Sequence, residues 1–302
     1  MINIDVISGF LGAGKTTFCN MLLKYYLRKG QRPVYIVNEF GQTGLDALII
    51  EAEGFNAVEM EGGCVCCTLK DDITVSMLQV IEAFAPTHIV FEPSGIFIFD
   101  NFEDILKEPK LASLCEIKNT ITLVDSINFN FARVAYGSFI YNQIKNAPVI
   151  ILSKLEKNVK DTPELICDIK NINPNAIITS KVLHKWGEGD FDAILNKYKQ
   201  PGAYECISHH QHLASVSVEP KANFLRDEIA QLASHCKDGV FGDIYRVKGV
   251  ITVDGRLMLL NIARGDFSLV PFKGAAKQSL TFIGNSVNED EIARQTNGLT
   301  AN

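Results

Sequence analysis

A glycine-rich turn near the start of the chain constrains the fold more than any other feature of the sequence. Residues 9–16 read GFLGAGKT, between a strand-like and a helix-like segment. In such a turn the backbone N–H groups point at a phosphate, and the following helix adds the positive end of its dipole. The lysine reaches the β and γ phosphates, and the threonine hydroxyl binds Mg²⁺. The motif predicts a P-loop phosphate site, which we expect to be built from Gly9, Gly12, Ala13, Gly14, Lys15, Thr16 and Thr17.

The remainder of the first two thirds of the chain alternates short apolar runs with helix-length segments. Apolar residues recur every three to four positions in residues 15–29 and 69–84, which indicates covering helices. This alternation predicts an α/β fold whose mostly parallel central sheet is flanked by helices. The predicted strands are residues 2–7, 34–37, 57–60, 88–91, 120–124, 149–152 and 176–179.

A second, smaller domain is expected in the last third of the chain. The alternation lapses in residues 199–213, which contain a Pro-Gly pair and the run SHHQH and are typical of a linker. We therefore divide the chain into a nucleotide-binding domain, 1–198, and a C-terminal domain, 214–302. A strand over 214–218, a helix over 221–235 and alternating apolar residues over 245–253 predict a small α+β domain with a half-exposed antiparallel sheet.

Composition excludes several classes of protein. No apolar run reaches the eighteen residues that a spanning helix needs, and the first residues resemble no export signal, so we expect a cytoplasmic chain without membrane contact. The net charge is −6 and the basic residues are scattered, which argues against a nucleic-acid partner.

Acidic residues after two predicted strands are candidates for the chemistry at the phosphates. Glu92 ends the fourth strand and Gly95 follows it, where P-loop enzymes place an acid that holds Mg²⁺ through water and a glycine N–H near the γ phosphate. Residues 38–41 follow the second predicted strand, and Asp46 is nearby in the sequence. Glu39 is the candidate in this segment for sensing the γ phosphate or orienting water. An ordinary acidic loop explains residues 38–46 nearly as well.

The end of the sixth predicted strand is the candidate site for the nucleotide base. Glu156 can accept both N–H donors on one edge of guanine, and the Lys154 stem can lie on the base. Ser153 stands where a guanine site usually has asparagine, so we expect a weakened guanine preference. Residues 179–181 either supply a backbone N–H to the base or form a plain turn.

Three cysteines stand within four positions between the third predicted strand and the next helix. Cys64, Cys66 and Cys67 follow two glycines that allow the backbone to turn until the thiols converge. Three thiolates without an evident fourth ligand suit an exchangeable soft or borderline ion such as Zn²⁺ or Co²⁺. Three buried structural cysteines are the alternative.

Together these motifs resemble the CobW-type family of P-loop GTPases. The resemblance rests on residues 9–16, on 38–41 with Asp46, on the cysteine cluster and on Glu92 with Gly95; residues 246–249 and 282–284 resemble the family's C-terminal domain. It implies slow hydrolysis of GTP to GDP with Lys15, Glu92 and Glu39 at the reacting phosphate, and metal held by Cys64, Cys66 and Cys67. It also implies delivery of Zn²⁺ or Co²⁺ to a client metalloprotein or a corrinoid-pathway protein.

Two other functions fit parts of the sequence. A P-loop kinase would use Lys15 and Mg²⁺ to position the γ phosphate for an acceptor hydroxyl. A thiol redox switch would cycle Cys66 and Cys67 through disulfides, with the nucleotide in a structural role. The sequence leaves the oligomeric state open, a homodimer included.

Overall fold

The computed structural model describes residues 1–38, 45–59, 70–94, 105–135, 137–157, 162–195, 214–220, 223–263, 266–272, 276–284 and 286–298. The strands are β1 Ile2–Gly9, β2 Pro33–Val37, β3 Ala57–Glu59, β4 His88–Glu92, β5 Cys115–Asp125, β6 Val149–Ser153, β7 Ile177–Thr179, β8 Ala214–Val218, β9 Asn223–Phe224, β10 Ile244–Val253, β11 Arg256–Ala263, β12 Asp266–Pro271 and β13 Ser279–Gly284. The helices are α1 Lys15–Arg28, α2 Leu45–Ala52, α3 Lys70–Phe84, α4 Pro109–Ala112, α5 Phe129–Ala135, α6 Gly137–Lys145, α7 Thr162–Ile172, α8 Glu188–Leu195, α9 Arg226–Lys237 and α10 Glu289–Gly298. Short 3₁₀ turns cover Leu155–Lys157 and Leu183–Lys185.

The chain divides into two compact units. The first contains Met1–Glu39 and Glu53–His209, and the second contains Phe40–Ala52 and His210–Asn302. The sequence-based division differs from this one in the segment 40–52, which carries α2. The domain boundaries 1–198 and 214–302 stay a prediction.

The first unit is built on a seven-stranded sheet in the order β3-β2-β4-β1-β5-β6-β7. Every pairing in it is parallel. Such a sheet needs apolar residues on both faces. Ile4, Val34, Ile89 and Phe91 are accordingly buried in one core cluster, which also contains Met77 of α3. The predicted mostly parallel α/β fold is confirmed.

The second unit is a smaller α+β structure, as predicted. Its sheet has the order β12-β11-β10-β13-β8, with antiparallel pairings, and the short strand β9 adds to β10 in parallel. One face carries Val247, Leu260 and Phe282, which are buried in a cluster with Ile229 of α9 and Ile292 of α10. Burying that face against two helices accounts for the apolar alternation along β10.

The predicted helix over 221–235 is wrong at its start. Residues 223–224 form β9, whose Asn223 Oδ1 accepts a hydrogen bond of 2.9 Å from the Gly255 N–H. The helix begins at Arg226, because Glu228 reaches back to accept the Leu225 N–H at 2.6 Å and so caps the first turn there.

No helix in the described part of the chain combines the length and apolar character needed to cross a membrane.

A buried carboxyl group in β1 makes the stability of the protein depend on pH. Asp5 is fully buried and accepts hydrogen bonds from the Tyr26 hydroxyl at 2.7 Å and from the Asn119 amide. Burial raises the pKa of Asp5 from 3.8 to about 6, despite the opposing effect of these hydrogen bonds. The folded state therefore binds a proton between these two pH values that the unfolded state has released.

We expect the contribution of Asp5 to the free energy of unfolding to be largest below pH 3.8 and to fall as pH rises through 6. The loss is about 3 kcal/mol, from a pKa shift of about two units. Urea unfolding of the wild type and of Asp5→Asn at several pH values between 4 and 7.5 measures it, since the variant has no titration at this position. The stability of the wild type relative to the variant should decline over this range, and a difference independent of pH would contradict the prediction. Asp238→Asn, at an exposed position, is the control.

Candidate nucleotide-binding site

The predicted site residues lie at the carboxyl ends of neighbouring parallel strands. Gly9 ends β1, Glu92 ends the adjacent β4, Asp125 ends β5 on the other side, and Ser153 ends β6. Ligands of open parallel sheets bind at this edge, where the strands lead into loops. The topology therefore brings together residues that are up to 144 positions apart in sequence, from Gly9 to Ser153.

The turn between β1 and α1 has backbone conformations that favour glycine. Gly9 has φ 140°, and a Cβ atom there would lie 2.5 Å from the carbonyl oxygen of Leu123. Gly14 has φ 92° in the left-handed region and precedes the first residue of α1. Gly12 also has a positive φ, and the Ala13 N–H donates to the Phe10 carbonyl at 3.0 Å. This turn ends at the amino terminus of α1, the arrangement that binds phosphate.

Lys15, Thr16 and Glu92 form the polar cluster at the centre of the site. The Thr16 hydroxyl donates to Glu92 Oε1 at 3.3 Å, and the Lys15 ammonium lies 3.9 Å from the same oxygen. Lys15 and Glu92 are only 6% and 3% exposed, so their charges interact with little screening by water. The structure thus places the predicted acid beside the predicted Mg²⁺-binding hydroxyl, while Thr17 is exposed on the first turn of α1.

Tyr35 belongs to this cluster and was missed by the sequence analysis. Its hydroxyl donates to Glu92 Oε2 at 2.6 Å, and the side chain is fully buried. Val37 pairs with Glu92 in the β2–β4 register, so Tyr35, two residues earlier, projects to the same face of the sheet. A hydroxyl in an otherwise apolar buried strand was the available signal. Tyr35 orients the Glu92 carboxylate from the side opposite to Thr16.

This donor set fits a magnesium ion. Mg²⁺ prefers oxygen ligands and keeps several of its waters, so one hydroxyl ligand with a nearby carboxylate for the water shell is a usual arrangement. Thr16 would supply the hydroxyl and Glu92 the carboxylate. Bound there, Mg²⁺ would neutralise charge on the phosphate oxygens.

The end of β6 carries the three residues of the predicted base site. The Ser153 hydroxyl donates to the Val124 carbonyl of β5 at 3.3 Å and is buried, so it ties two strands together. Lys154 has φ 58°, and its ammonium lies 2.6 Å from Asp125 Oδ2. Glu156 is exposed on the 3₁₀ turn. Contacts of Ser153, Lys154 and Glu156 with a nucleotide base stay predictions.

Asp125 is a second residue whose role the sequence analysis did not identify. Its Oδ1 accepts the backbone N–H groups of Ile127 at 2.9 Å and Asn128 at 3.3 Å, while Oδ2 accepts the Asn128 amide and the Lys154 ammonium. An aspartate that ends a strand before a turn is a recognisable signal for such bonds. Asp125 orders the turn after β5 and fixes the direction of Lys154.

The turn after β7 borders an open pocket of about 420 Å³. The Lys181 ammonium lies 2.8 Å from both carboxylate oxygens of Asp190, and the Trp186 indole donates to the Lys181 carbonyl at 3.0 Å. The hydrogen bond from Lys181 lowers the pKa of the Asp190 carboxyl. These contacts fix the turn for which the sequence left two interpretations open, a backbone N–H for the base or a plain turn.

Two family models match the sequence. The model described as "CobW/HypB/UreG, nucleotide-binding domain" matches residues 3–180, and the "Cobalamin synthesis protein cobW C-terminal domain" matches residues 213–299. The chain belongs to the CobW/HypB/UreG family. The family predicted from the sequence motifs is therefore confirmed.

Relatives within this family include several zinc chaperones. The zinc chaperone CobW of a Sinorhizobium species is 36% identical over 145 residues, which are 46% of this chain and 39% of that protein. The zinc chaperone YeiR of Escherichia coli is 25% identical over 55% of this chain and 50% of its own length. The chain thus aligns with half or less of each of these two relatives. Among solved structures, the Zn(II)-bound YjiA GTPase from E. coli is 18% identical, with 99% of both chains covered and a TM-score of 0.46.

Several predicted site residues of this CobW/HypB/UreG family member lie outside the described residues. They are Glu39, Gly95, Cys64, Cys66 and Cys67. Within the described ranges, no group of three histidine, cysteine or acidic side chains is arranged to hold a metal ion. Asp46, which the sequence analysis grouped with Glu39, lies in the second unit and pairs with Lys248.

Proposed function

We propose that this chain is a GTPase that binds zinc through Cys64, Cys66 and Cys67 and uses its nucleotide cycle to deliver the metal to a client protein. The observation that carries the proposal is the cluster of Lys15, Thr16 and Glu92 at the phosphate turn, in a chain that also carries three cysteines between β3 and α3. The family assignment supports it.

Hydrolysis of GTP follows from the chemistry of the phosphate turn. Lys15 binds the β and γ phosphates, Thr16 and Glu92 hold Mg²⁺, and the backbone N–H groups of the turn stabilise charge on the phosphate oxygens. Glu39 and the Gly95 N–H are proposed to act at the γ phosphate. Turnover is slow in this proposal, because the reaction relies on positioning and electrostatics at the phosphates.

Preference for GTP depends on the ends of β6 and β7. Glu156 is exposed and free to accept the two N–H donors of guanine, and Lys154 is oriented by Asp125. We expect the preference for GTP to be weaker than in a site with asparagine at position 153, because the Ser153 hydroxyl donates a hydrogen bond to β5.

Zinc is the proposed cargo rather than a resident cofactor. Three thiolates leave a tetrahedral zinc ion with an open position, through which a client ligand can enter. We favour zinc over cobalt and over a corrinoid pathway, because the relatives CobW and YeiR are zinc chaperones. The client is proposed to be a metalloprotein that supplies the fourth ligand.

A zinc titration of the anaerobic, reduced protein with and without a non-hydrolysable GTP analogue tests this proposal. If nucleotide controls delivery, the two dissociation constants for zinc should differ by about 5-fold or more, and zinc must change the affinity for the analogue by the same factor. Equal zinc affinities would remove the coupling, and absence of bound zinc would remove the chaperone function. Phosphate release from GTP without an added acceptor would count against the kinase alternative.

A further inference from the structure

The backbone of Lys154 has a conformation that its local structure does not require. Among the described residues, Ala85, Lys154 and Asp254 are the residues other than glycine with a positive φ. Ala85 directly follows the last residue of α3, and Asp254 forms with Gly255 the turn between β10 and β11, and both are places where a positive φ is usual. Lys154, with φ 58°, instead follows a parallel strand and precedes a 3₁₀ turn.

Contacts with the end of β5 hold Lys154 in this conformation. Asp125 and Ser153 are paired in the parallel register of β5 and β6, and the Lys154 ammonium lies 2.6 Å from Asp125 Oδ2. The Ser126 N–H donates to the Ser153 carbonyl at 3.2 Å, and the Ser153 hydroxyl donates to the Val124 carbonyl at 3.3 Å. A left-handed residue persists where its surroundings hold it, and such residues cluster at ligand sites.

Asp125 is itself fixed by bonds that do not involve Lys154. Its Oδ1 accepts the backbone N–H groups of Ile127 and Asn128, and its Oδ2 accepts the Asn128 amide at 2.9 Å. The Asp125 side chain is 11% exposed, whereas that of Lys154 is 34% exposed. Asp125 is therefore the rigid partner of the pair, and Lys154 is the partner that a ligand can reach.

The pair lies at the edge of the sheet where the phosphate turn begins. Asp125 and Asn128 line one cavity together with Phe10 and Leu11 of that turn. β5 is the neighbour of β1, and β6 is the next strand, so the end of β6 is about 10 Å from the end of β1. A nucleoside spans such a distance when its phosphates occupy the turn.

Ordering the lysine before a ligand arrives increases affinity. A lysine side chain has many rotamers, and immobilising a free one on binding costs part of the binding free energy. The ion pair with Asp125 restricts the Lys154 stem in the unbound protein, so a contact along the stem avoids that cost. An ion pair this close to the surface contributes little to folding stability.

We propose that Asp125 is a positioning residue for nucleotide binding: by holding the Lys154 ammonium, it directs the Lys154 stem along the ring plane of a purine base. The proposal rests on the base site proposed above and assigns part of its affinity to the Asp125–Lys154 pair. Guanine and adenine share the ring plane that the stem contacts. The pair therefore sets the affinity for purine nucleotides, while the choice between them belongs to the base edge and Glu156.

Asp125→Asn tests the proposal in the full chain. The variant keeps an acceptor for the N–H groups of Ile127 and Asn128 but replaces the oxygen that pairs with Lys154. Calorimetric titrations with Mg²⁺ should show the affinities for GDP and for ADP each falling by about 10-fold, the loss expected when one lysine must be ordered on binding. The affinity for tripolyphosphate, which has no base, should stay within about 2-fold. In GTP turnover the loss should lie mainly in KM rather than in kcat.

Asp168→Asn is the matched control. It removes a partly exposed ion pair of 3.1 Å with Arg133 in the same unit, and it should leave all three affinities unchanged.

Lys154→Met shows whether Asp125 acts through Lys154. Methionine keeps most of the stem without the ammonium, so this variant should lose affinity for both nucleotides by a similar factor. The double variant with Asp125→Asn should bind them within about 2-fold of the weaker single variant, because both changes remove the same interaction. If Asp125→Asn does not fold, the same pattern of losses in Lys154→Met supports the proposal, and wild-type nucleotide affinity in that variant overturns it.

Four results would overturn the proposal. They are wild-type affinity for GDP and ADP in both single variants, an equal loss for tripolyphosphate, a loss confined to GDP, and additive losses in the double variant. A wild-type chain that releases no phosphate from GTP would instead refute the proposed GTPase function, since the affinities are measured without hydrolysis.

Discussion

Replacing Glu92 with glutamine is expected to lower kcat for GTP by about 100-fold, comparable to the loss of one strong electrostatic contact in other enzymes. Glu92 accepts the Thr16 hydroxyl and the Tyr35 hydroxyl and lies beside the Lys15 ammonium. A neutral amide removes the charge that we propose attracts Mg²⁺ and leaves Lys15 without its buried counter-charge. The concentration of Mg²⁺ needed for half-maximal turnover should rise as well.

Steady-state phosphate release at saturating GTP over a Mg²⁺ series measures both effects. Tyr35→Phe, which removes only the hydroxyl that orients Glu92, should lower kcat by about 10-fold, the smaller loss expected when a supporting partner of a ligand is removed. Glu116→Gln, an exposed acid in β5, is the matched control. A Glu92→Gln variant with wild-type kcat and Mg²⁺ dependence would remove Glu92 from the reaction.

Changing Cys64, Cys66 and Cys67 together to serine is expected to weaken zinc binding by about 1000-fold or more, which corresponds to about 4 kcal/mol. A serine hydroxyl does not ionise at neutral pH and is a poor zinc ligand, whereas thiolates supply most of the affinity of such sites. Competition with a chromophoric chelator under anaerobic, reducing conditions gives the zinc dissociation constants.

Two controls make the cysteine result specific. Cys167→Ser changes an exposed cysteine that lies far in sequence from the cluster, and it should leave the zinc affinity unchanged. GTP turnover of the triple variant without zinc should remain near the wild-type value, since the phosphate turn is untouched. Retention of wild-type zinc affinity by the triple variant would place the metal elsewhere and refute the assigned ligands.

Local sequence patterns were sufficient to predict the parallel strands of the first unit. Each of the seven strand predictions corresponds to an observed parallel strand, because buried parallel strands are continuous apolar runs between helices. Glu92 was also singled out, since a strand-end acid after a glycine-rich turn is a local signal, and its contacts with Thr16 and Lys15 are observed while its role stays a prediction. The start of α9 was mispredicted, because a two-residue strand and a backbone cap carry almost no periodicity.

What the sequence alone provided is the set of residues on which the proposed chemistry rests: Lys15 and Thr16 in the glycine-rich turn, a carboxylate at Glu92 and three clustered thiols at Cys64, Cys66 and Cys67. These follow from residue types at short, fixed spacing. Only the tertiary structure decided that Tyr35 holds Glu92, that Ser153 faces β5, and that Asp46 is buried against Lys248, 202 residues away. Side chains far apart in sequence meet through sheet register and helix packing, and no local pattern encodes that register.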